Sequence, residues 1–400
     1  MARIDQLKAL KDTVAIVGIG DTDYLSDYRS GAKGNTSERG SGALDAYGLA
    51  AKALRRALED SGLQKSAIDG ISVSGMLEES RTAEVLGLDP AWCHSASMAS
   101  DAVIEAVQAI NAGLCDTVLC LYGTAQRSAN VQYGGPQASG QLSYSFYAPW
   151  GMTSQGGLYA MAFRRHQLMY GTTEEQLGAV AVTLRKHAQL NPNAIMYGKP
   201  LTLEDYLQSR YVARPLRLFD YCLVNDGGVA LILQRADMAK DAAQTPISIS
   251  GFGWREADRE NTQLRPRLKD FYHSAHHGVR DQVYPMSGLG PKDIDVYSTY
   301  DSFSTHVLLT LEGFGFCGEG ESGAFIQDGR IGIGGELPVN TSGGMMSESY
   351  MQSWNHQVEL VRQLRHTYEG GPRQVANAEV GQYVFDGSGR CHSVIYTREN

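Results

Sequence analysis

Two segments of this chain gather phenols, a carboxylate and adjacent glycines within a few residues: Tyr297-Ser-Thr-Tyr300-Asp301-Ser-Phe303 and Pro338-Val-Asn-Thr-Ser-Gly343-Gly344-Met-Met-Ser-Glu-Ser-Tyr350. A phenol both donates and accepts hydrogen bonds, so two of them can serve opposite proton transfers on one bound molecule. Retro-aldol cleavage, as one reaction that passes through an enolate, asks for that. A base takes the hydroxyl proton, donors hold the enolate oxygen and an acid protonates Cα, with no covalent intermediate. An unperturbed phenol titrates near ~10, so a base at neutral pH requires nearby donors or a relay. The chain holds 21 tyrosines, and the ordinary fate of a tyrosine is aromatic packing with a satisfied hydroxyl. Residue type alone therefore selects none of them.

Other side chains offer rival chemistries. His273, His276 and His277 recur at i, i+3 and i+4, one face of a helix, but no carboxylate or cysteine set accompanies them at metal-ligand spacing; a solvated or loop-domain cluster is expected, and no metal. Ser97 as a nucleophile needs a base, and His94 is the only candidate nearby in sequence. Lys186 and Lys199 sit in charged or loop contexts rather than the desolvated sites that imine chemistry needs. Val17-Gly18-Ile-Gly20 follows a strand but lacks the third glycine of a dinucleotide fingerprint, and close strand packing explains it better.

The elements that must position these residues follow from periodicity. Apolar β-rich runs at 13–20, 70–75, 117–122, 229–233, 246–253 and 293–299 alternate with helical patterns at about 42–63, 100–113 and 174–190. Strands alternating with helices imply βαβ units and a mostly parallel sheet. The second half echoes the first, Pro246–Gly253 following Val14–Gly20 and Asp293–Thr299 following Ile68–Val73, as in a duplication. We expect an N-terminal half at 1–240, containing a loop domain at about 123–215, and a C-terminal half at 241–400. A chain of 400 residues with net charge −9 buries a substantial core and is a poor partner for nucleic acid. No apolar run reaches membrane-spanning length, the first residues carry no secretory signal, and six scattered cysteines suit a reducing cytoplasm.

Four segments carry a family resemblance. Gly343-Gly344-Met-Met-Ser-Glu-Ser-Tyr350-Met351 has the spacing of Gly-Gly-x-x-x-x-Gly-His-Pro, and Tyr300-Asp301-Ser302-Phe303 that of Asn-Glu-Ala-Phe or His-Asp-x-Phe. Ala96-Ser97 to Gly113 has that of Cys-x-Ser-Gly with its apolar helix, and Phe385-Asp386-Gly387-Ser388-Gly389 that of Cys-x-Gly-x-Gly. In these features the chain resembles the thiolase superfamily over nearly its whole length. Segments 218–233, 320–325 and 337–344 are similar to its sterol-carrier-protein branch. The resemblance implies an α/β thiolase fold, two duplicated halves that together form five layers, with the loop domain covering the acyl-CoA.

The departures from the pattern matter as much. Ala96 and Phe385 stand where thiolases keep their cysteines, and Cys93 lies three residues out of register. A cysteine-less member with tyrosines on both loops resembles the steroid side-chain aldolases, often called lipid-transfer proteins. The implied activity is retro-aldol cleavage of a β-hydroxyacyl-CoA, of the 17-hydroxy steroid type, to a ring ketone and a short acyl-CoA such as propionyl-CoA. Tyr300 and Tyr350 would be acid and base in an order left open, and Asp301 would orient or tune Tyr300. Backbone N–H groups near Ala96–Ser97 or Gly343–Gly344 would hold the enolate oxygen. No cofactor is implied beyond the CoA of the substrate. The group also implies an OB-fold and zinc-ribbon partner, often attached to a hydratase, and a homodimer through an edge strand, for which Asp116–Tyr122 is the candidate. Two alternatives stand beside this reading: a non-catalytic lipid or acyl-CoA carrier, and a thiolase using the displaced Cys93.

Overall fold

The structure, a computed structural model, describes residues 2–31, 44–131, 133, 148–255, 261, 262, 265, 266, 273–387 and 389–398. Residues 132 and 134–147 of the expected loop domain, together with Tyr272 and Ser388, lie outside the described residues.

A nine-stranded sheet forms the spine of the molecule. Its strands are β1 (Val14–Asp21), β2 (Gly70–Gly75), β3 (Trp92–Ser95), β4 (Thr117–Ala125), β5 (Asp226–Arg235), β6 (Ile247–Arg255), β7 (Val296–Thr299), β8 (Val380–Asp386) and β9 (Cys391–Arg398). They lie side by side in the order β7-β8-β9-β6-β1-β5-β4-β2-β3. Every residue of β1 and β4 is buried, as expected of strands covered on both faces. Alternate residues feed opposite layers. Ala15, Val17, Leu119 and Leu121 pack against the helix Ala46–Ser61. Val14, Ile16, Val118 and Cys120 join a cluster with the helices Ala99–Asn111 and Trp354–Leu364.

The two expected halves meet where β1 pairs with β6, Ala15 opposite Ser248 and Ile16 opposite Ile247, so their strands form one continuous sheet. The expectation of a mostly parallel sheet fails. Among the described residues only β2–β3, β2–β4 and β7–β8 pair in parallel, and the other five contacts are antiparallel. The long excursion was expected as the loop domain, but helix alternation does not reveal the sense in which residues 126–225 return the strand, here antiparallel. The candidate dimer edge fails too. The strand of Asp116–Tyr122, β4, lies between β2 and β5, and its unbroken apolar burial marks it as central; the edge on that side is β3. No helix among the described residues is long and apolar enough to cross a membrane.

Gly18 and Gly20 serve packing, as their spacing suggested. A Cβ on Gly18 would lie 2.5 Å from the Ala57 carbonyl oxygen, and one on Gly20 would collide with the Ala53 carbonyl oxygen. These glycines let the helix Ala46–Ser61 lie directly on β1. Overpacking of this kind costs about 1–3 kcal/mol, so Gly20→Ala should lower the urea midpoint accordingly; an unchanged midpoint in denaturant titration would show that the helix is free to move away.

Candidate active site

Tyr300 follows the last residue of β7, and its N–H donates to the Val384 carbonyl of β8 at 2.8 Å. Tyr350 follows the short helix Gly344–Ser347, and its N–H donates to Asn225 Oδ1 at 2.7 Å. Separated by fifty residues, the two phenol oxygens lie 3.3 Å apart and are both buried, at 7% and 6% exposure. Ala96 belongs to the same apolar cluster, and the Phe385 ring stands edge-on to Tyr300, with centroids 5.1 Å apart. Phe385 thus presents hydrocarbon to Tyr300.

Burial pushes both phenols up from the ordinary tyrosine value, and Tyr350 is raised further by Tyr300 and Tyr133. Of the two routes expected for a base at neutral pH, a phenol lowered by nearby donors is thus disfavoured, and a relay is left. Taking a phenolate out of water costs more than the donors present restore, although Tyr350 and Ser302 both favour ionised Tyr300. Neutral phenols are donors, suited to a developing enolate oxygen.

Asp301 does not spend its carboxylate on Tyr300. Its oxygens accept from the N–H groups of Met345 and Met346 at 2.9 and 3.3 Å and lie 2.9 Å from His356 Nε2. Asp301 thus ties the loop that carries Tyr300 to the one that carries Tyr350. Gly344 has φ +62°, and a Cβ there would collide with the Asp301 carboxylate; Gly343 has φ +106°, with Ala188 in the way of any side chain.

The expected oxyanion donors are already engaged. Ala96 N–H donates to Val73 O at 2.8 Å and Gly343 N–H to Asn340 O at 2.9 Å. Ser97 N–H donates to Asp101 at 3.0 Å and Gly344 N–H to Ser342 Oγ at 3.3 Å. The phenols themselves are left as donors for an enolate oxygen. Ser97 is exposed, its hydroxyl held between Asp101 and Arg390, while His94 stacks on Trp92; no nucleophile–base pair forms. Cys93 is exposed on β3, its thiol pushed up by partial burial and by Glu79, the reverse of an activated thiolate.

Two histidines of the cluster are not solvated as expected. His273 and His276 are buried, at 3.3 Å from Glu312 and Asp386 respectively. Among the described residues no group of three or more His, Cys, Asp or Glu is arranged to hold a metal ion.

Several residues at the site escaped the sequence. Tyr133 sets its ring edge-on to Tyr350, with centroids 6.1 Å apart; as one phenol in a Gly- and Ser-rich stretch it gave no signal. Cys222 lies against the pair, its N–H donating to the Ser302 carbonyl at 3.1 Å. Asn225 orders the second loop, its amide also donating to Ser349 Oγ at 2.8 Å. Asp386 and His306 were readable as chemistry-bearing types beside the quoted motifs, and nothing in their spacing joined them.

Two outcomes follow from this packing. Gly344→Ala should lose about 1–3 kcal/mol of stability together with turnover, and an unperturbed urea midpoint would show that Asp301 yields. Glu348, two residues before Tyr350, accepts from Asn191, Ser342 and Asn355, yet burial pushes its carboxyl up to about 7 from 4.5. The native state keeps a proton that the unfolded chain releases, so stability falls as pH rises through the interval between those values. Glu348→Gln should flatten that slope in denaturation series at pH 5 and pH 8.

Residues 259–395 match the family model described as thiolase C-terminal domain-like. The chain is 36% identical to the 17-hydroxy-3-oxo-4-pregnene-20-carboxyl-CoA lyase of Mycobacterium tuberculosis, with 90% of this chain and 93% of the relative covered. It is 33% identical to the steroid side-chain-cleaving aldolase of Thermomonospora curvata, over 94% and 96% of the two chains. A solved structure titled Ltp2-ChsH2(DUF35) aldolase superposes with a TM-score of 0.85 at 31% identity, covering 97% of this chain and 98% of that one. On these likenesses the chain belongs to the thiolase superfamily, in its branch of steroid side-chain-cleaving aldolases.

Proposed function

We propose that this protein is a lyase that breaks the Cα–Cβ bond of a β-hydroxyacyl-CoA by retro-aldol cleavage. The acyl group is a steroid side chain hydroxylated at the ring carbon, and the products are the ring ketone and a short acyl-CoA such as propionyl-CoA. The observation that carries this reading is the buried Tyr300–Tyr350 pair, 3.3 Å apart, in a site with no sulfur at either thiolase position. An acyl-enzyme route finds no activated thiolate there, since burial pushes the Cys222 thiol beside the pair well up, whereas retro-aldol cleavage requires only proton transfers and a held enolate. The β-hydroxyl proton and the proton delivered to Cα balance, so the reaction consumes no cofactor; CoA enters as part of the substrate.

A cavity of about 450 Å³, lined in part by Arg185, Leu201, Gln208 and Phe219, lies beside the second loop, and Arg185 Nε donates to Ser347 Oγ at 3.0 Å. It is our candidate for the CoA end of the substrate. The solved relative's title pairs an aldolase with a DUF35 protein, and we infer a comparable OB-fold and zinc-ribbon partner docking near this site. We propose that a homodimer would form through β3, the edge strand on that side of the sheet. All six cysteines are free thiols, which suits a cytoplasmic enzyme.

The test is incubation of the chain, alone and with such a partner, with a 17-hydroxy steroid side-chain CoA ester. Ring ketone and short acyl-CoA should appear in equal amounts. Tyr300→Phe and Tyr350→Phe should each lower kcat by about 10²–10⁴-fold, the usual contribution of a positioned acid or base. Tight binding of acyl-CoA without turnover over a broad thioester panel would make the protein a carrier instead.

A further inference from the structure

Two neutral phenols leave the retro-aldol reading short of a base, and the structure supplies one behind Tyr300. Ser302 lies two residues after Tyr300, whose ring stands edge-on to His306 with centroids 5.3 Å apart. Ser302 Oγ lies 2.9 Å from His306 Nε2, and His306 Nδ1 lies 2.8 Å from Asp386 Oδ2. All three side chains are buried. Their order is fixed by the fold: the helix Ser304–Gly313 begins directly after the Tyr300 loop, which turns His306 back under that loop, and Asp386 closes β8 beside it.

Resting on the function proposed above, we propose that Ser302, His306 and Asp386 form a proton relay that makes Tyr300 the base and leaves Tyr350 as the acid. As the substrate β-hydroxyl gives its proton to Tyr300 Oη, the Tyr300 proton passes to Ser302 Oγ and the Ser302 proton to His306 Nε2. The Cα–Cβ electron pair moves into the thioester as an enolate while Cβ becomes the ketone carbon. Tyr350 then protonates Cα. The imidazolium returns its proton through Ser302 and Tyr300 to the Tyr350 oxygen, across the 3.3 Å contact. Protons balance over the cycle and no co-reactant is consumed.

The surroundings fit this role. Asp386 is buried, which by itself raises its pKa, yet the hydrogen bonds of His276 and His306 hold it well below the ordinary carboxylate value; it therefore accepts from Nδ1 and leaves Nε2 free to receive the Ser302 proton. His306 is faced by Tyr300 and Phe303 from the first loop, Tyr159 from the helix Gln155–Tyr170 with ring centroids 4.1 Å apart, and Asp386 from β8. His276, from the helix Ser274–Ser287, stands on the other Asp386 oxygen at 3.3 Å. Beyond it His273 Nδ1 lies 3.4 Å from His276 Nδ1, and Glu312 lies between His273 and His166 at 3.3 and 2.9 Å.

His306 and Asp386 are positioning residues in this scheme, acting through Tyr300. The test uses Ser302→Ala, His306→Asn and their double variant in the full chain with its partner, with the steroid side-chain CoA ester as substrate. Each single variant should lower kcat by about 100-fold, with KM within about threefold, and should remove the acid limb of the kcat–pH profile. The double variant should lose no more than the worse single one, because one relay is broken once. Thermal melts identify any variant that fails to fold, and Ser302→Ala, which removes a single oxygen, then decides alone. Unchanged kcat, or a lowered kcat with the pH profile intact, overturns the relay while wild-type cleavage keeps the function. A wild type that fails to cleave overturns the function itself.

Discussion

One buried carboxylate sets the geometry on which this site depends. Asp301 belongs to the Tyr300 loop by sequence, but accepts the N–H groups of Met345 and Met346, which open the turn leading to Tyr350. A glycine at 344 is the price of that embrace, since any side chain would occupy the space of the carboxylate. Burying an acceptor is tolerable only when it is fully hydrogen-bonded, and His356 supplies the remaining donor. The phenol–phenol distance is thus set by a neighbouring residue rather than by the tyrosines themselves.

The same enclosure explains the change of chemistry from that of a thiolase. Ala96 and Phe385 are buried in the apolar cluster that holds both tyrosines, and burial keeps phenols protonated. A protonated phenol is a weak base and a good donor. Proton acceptance must then be displaced onto groups behind the pair, where the Ser302–His306–Asp386 line runs away from the substrate side. Keeping the strongest acceptor behind the pair places the positive charge on His306 while the enolate forms, so Tyr300 itself never has to rest as a phenolate.

Much of this architecture was legible in the sequence, and the losses have identifiable causes. The β1, β2 and β4 strands and the helices Ala46–Ser61 and Glu174–Gln189 stand within a few residues of their expected places, because apolar periodicity is a local property. Tyr300 and Tyr350 were found through motif spacing, which is also local. Strand direction was not legible, since it depends on how far a connection travels before it returns, nor was the interior position of β4, since an edge is defined by what fails to pair. Tyr133 and the His306–Asp386 contact are tertiary: residues 306 and 386 lie eighty apart, and neither periodicity nor spacing encodes such a meeting. The direction of the phenol shifts was missed for a related reason, because donors can be counted along a chain and burial cannot.

The position of β1 bears on how this protein must be made. The strand sits at the middle of the sheet, yet Ala15 pairs with Gln234 on one side and Ser248 on the other. At about 5–20 residues per second of translation, β1 leaves the ribosome roughly ten to forty seconds before either neighbour has been synthesised. Throughout that interval an eight-residue apolar strand has two open edges, a template for pairing with other nascent chains. The first half of the polypeptide is therefore the species most in need of a chaperone.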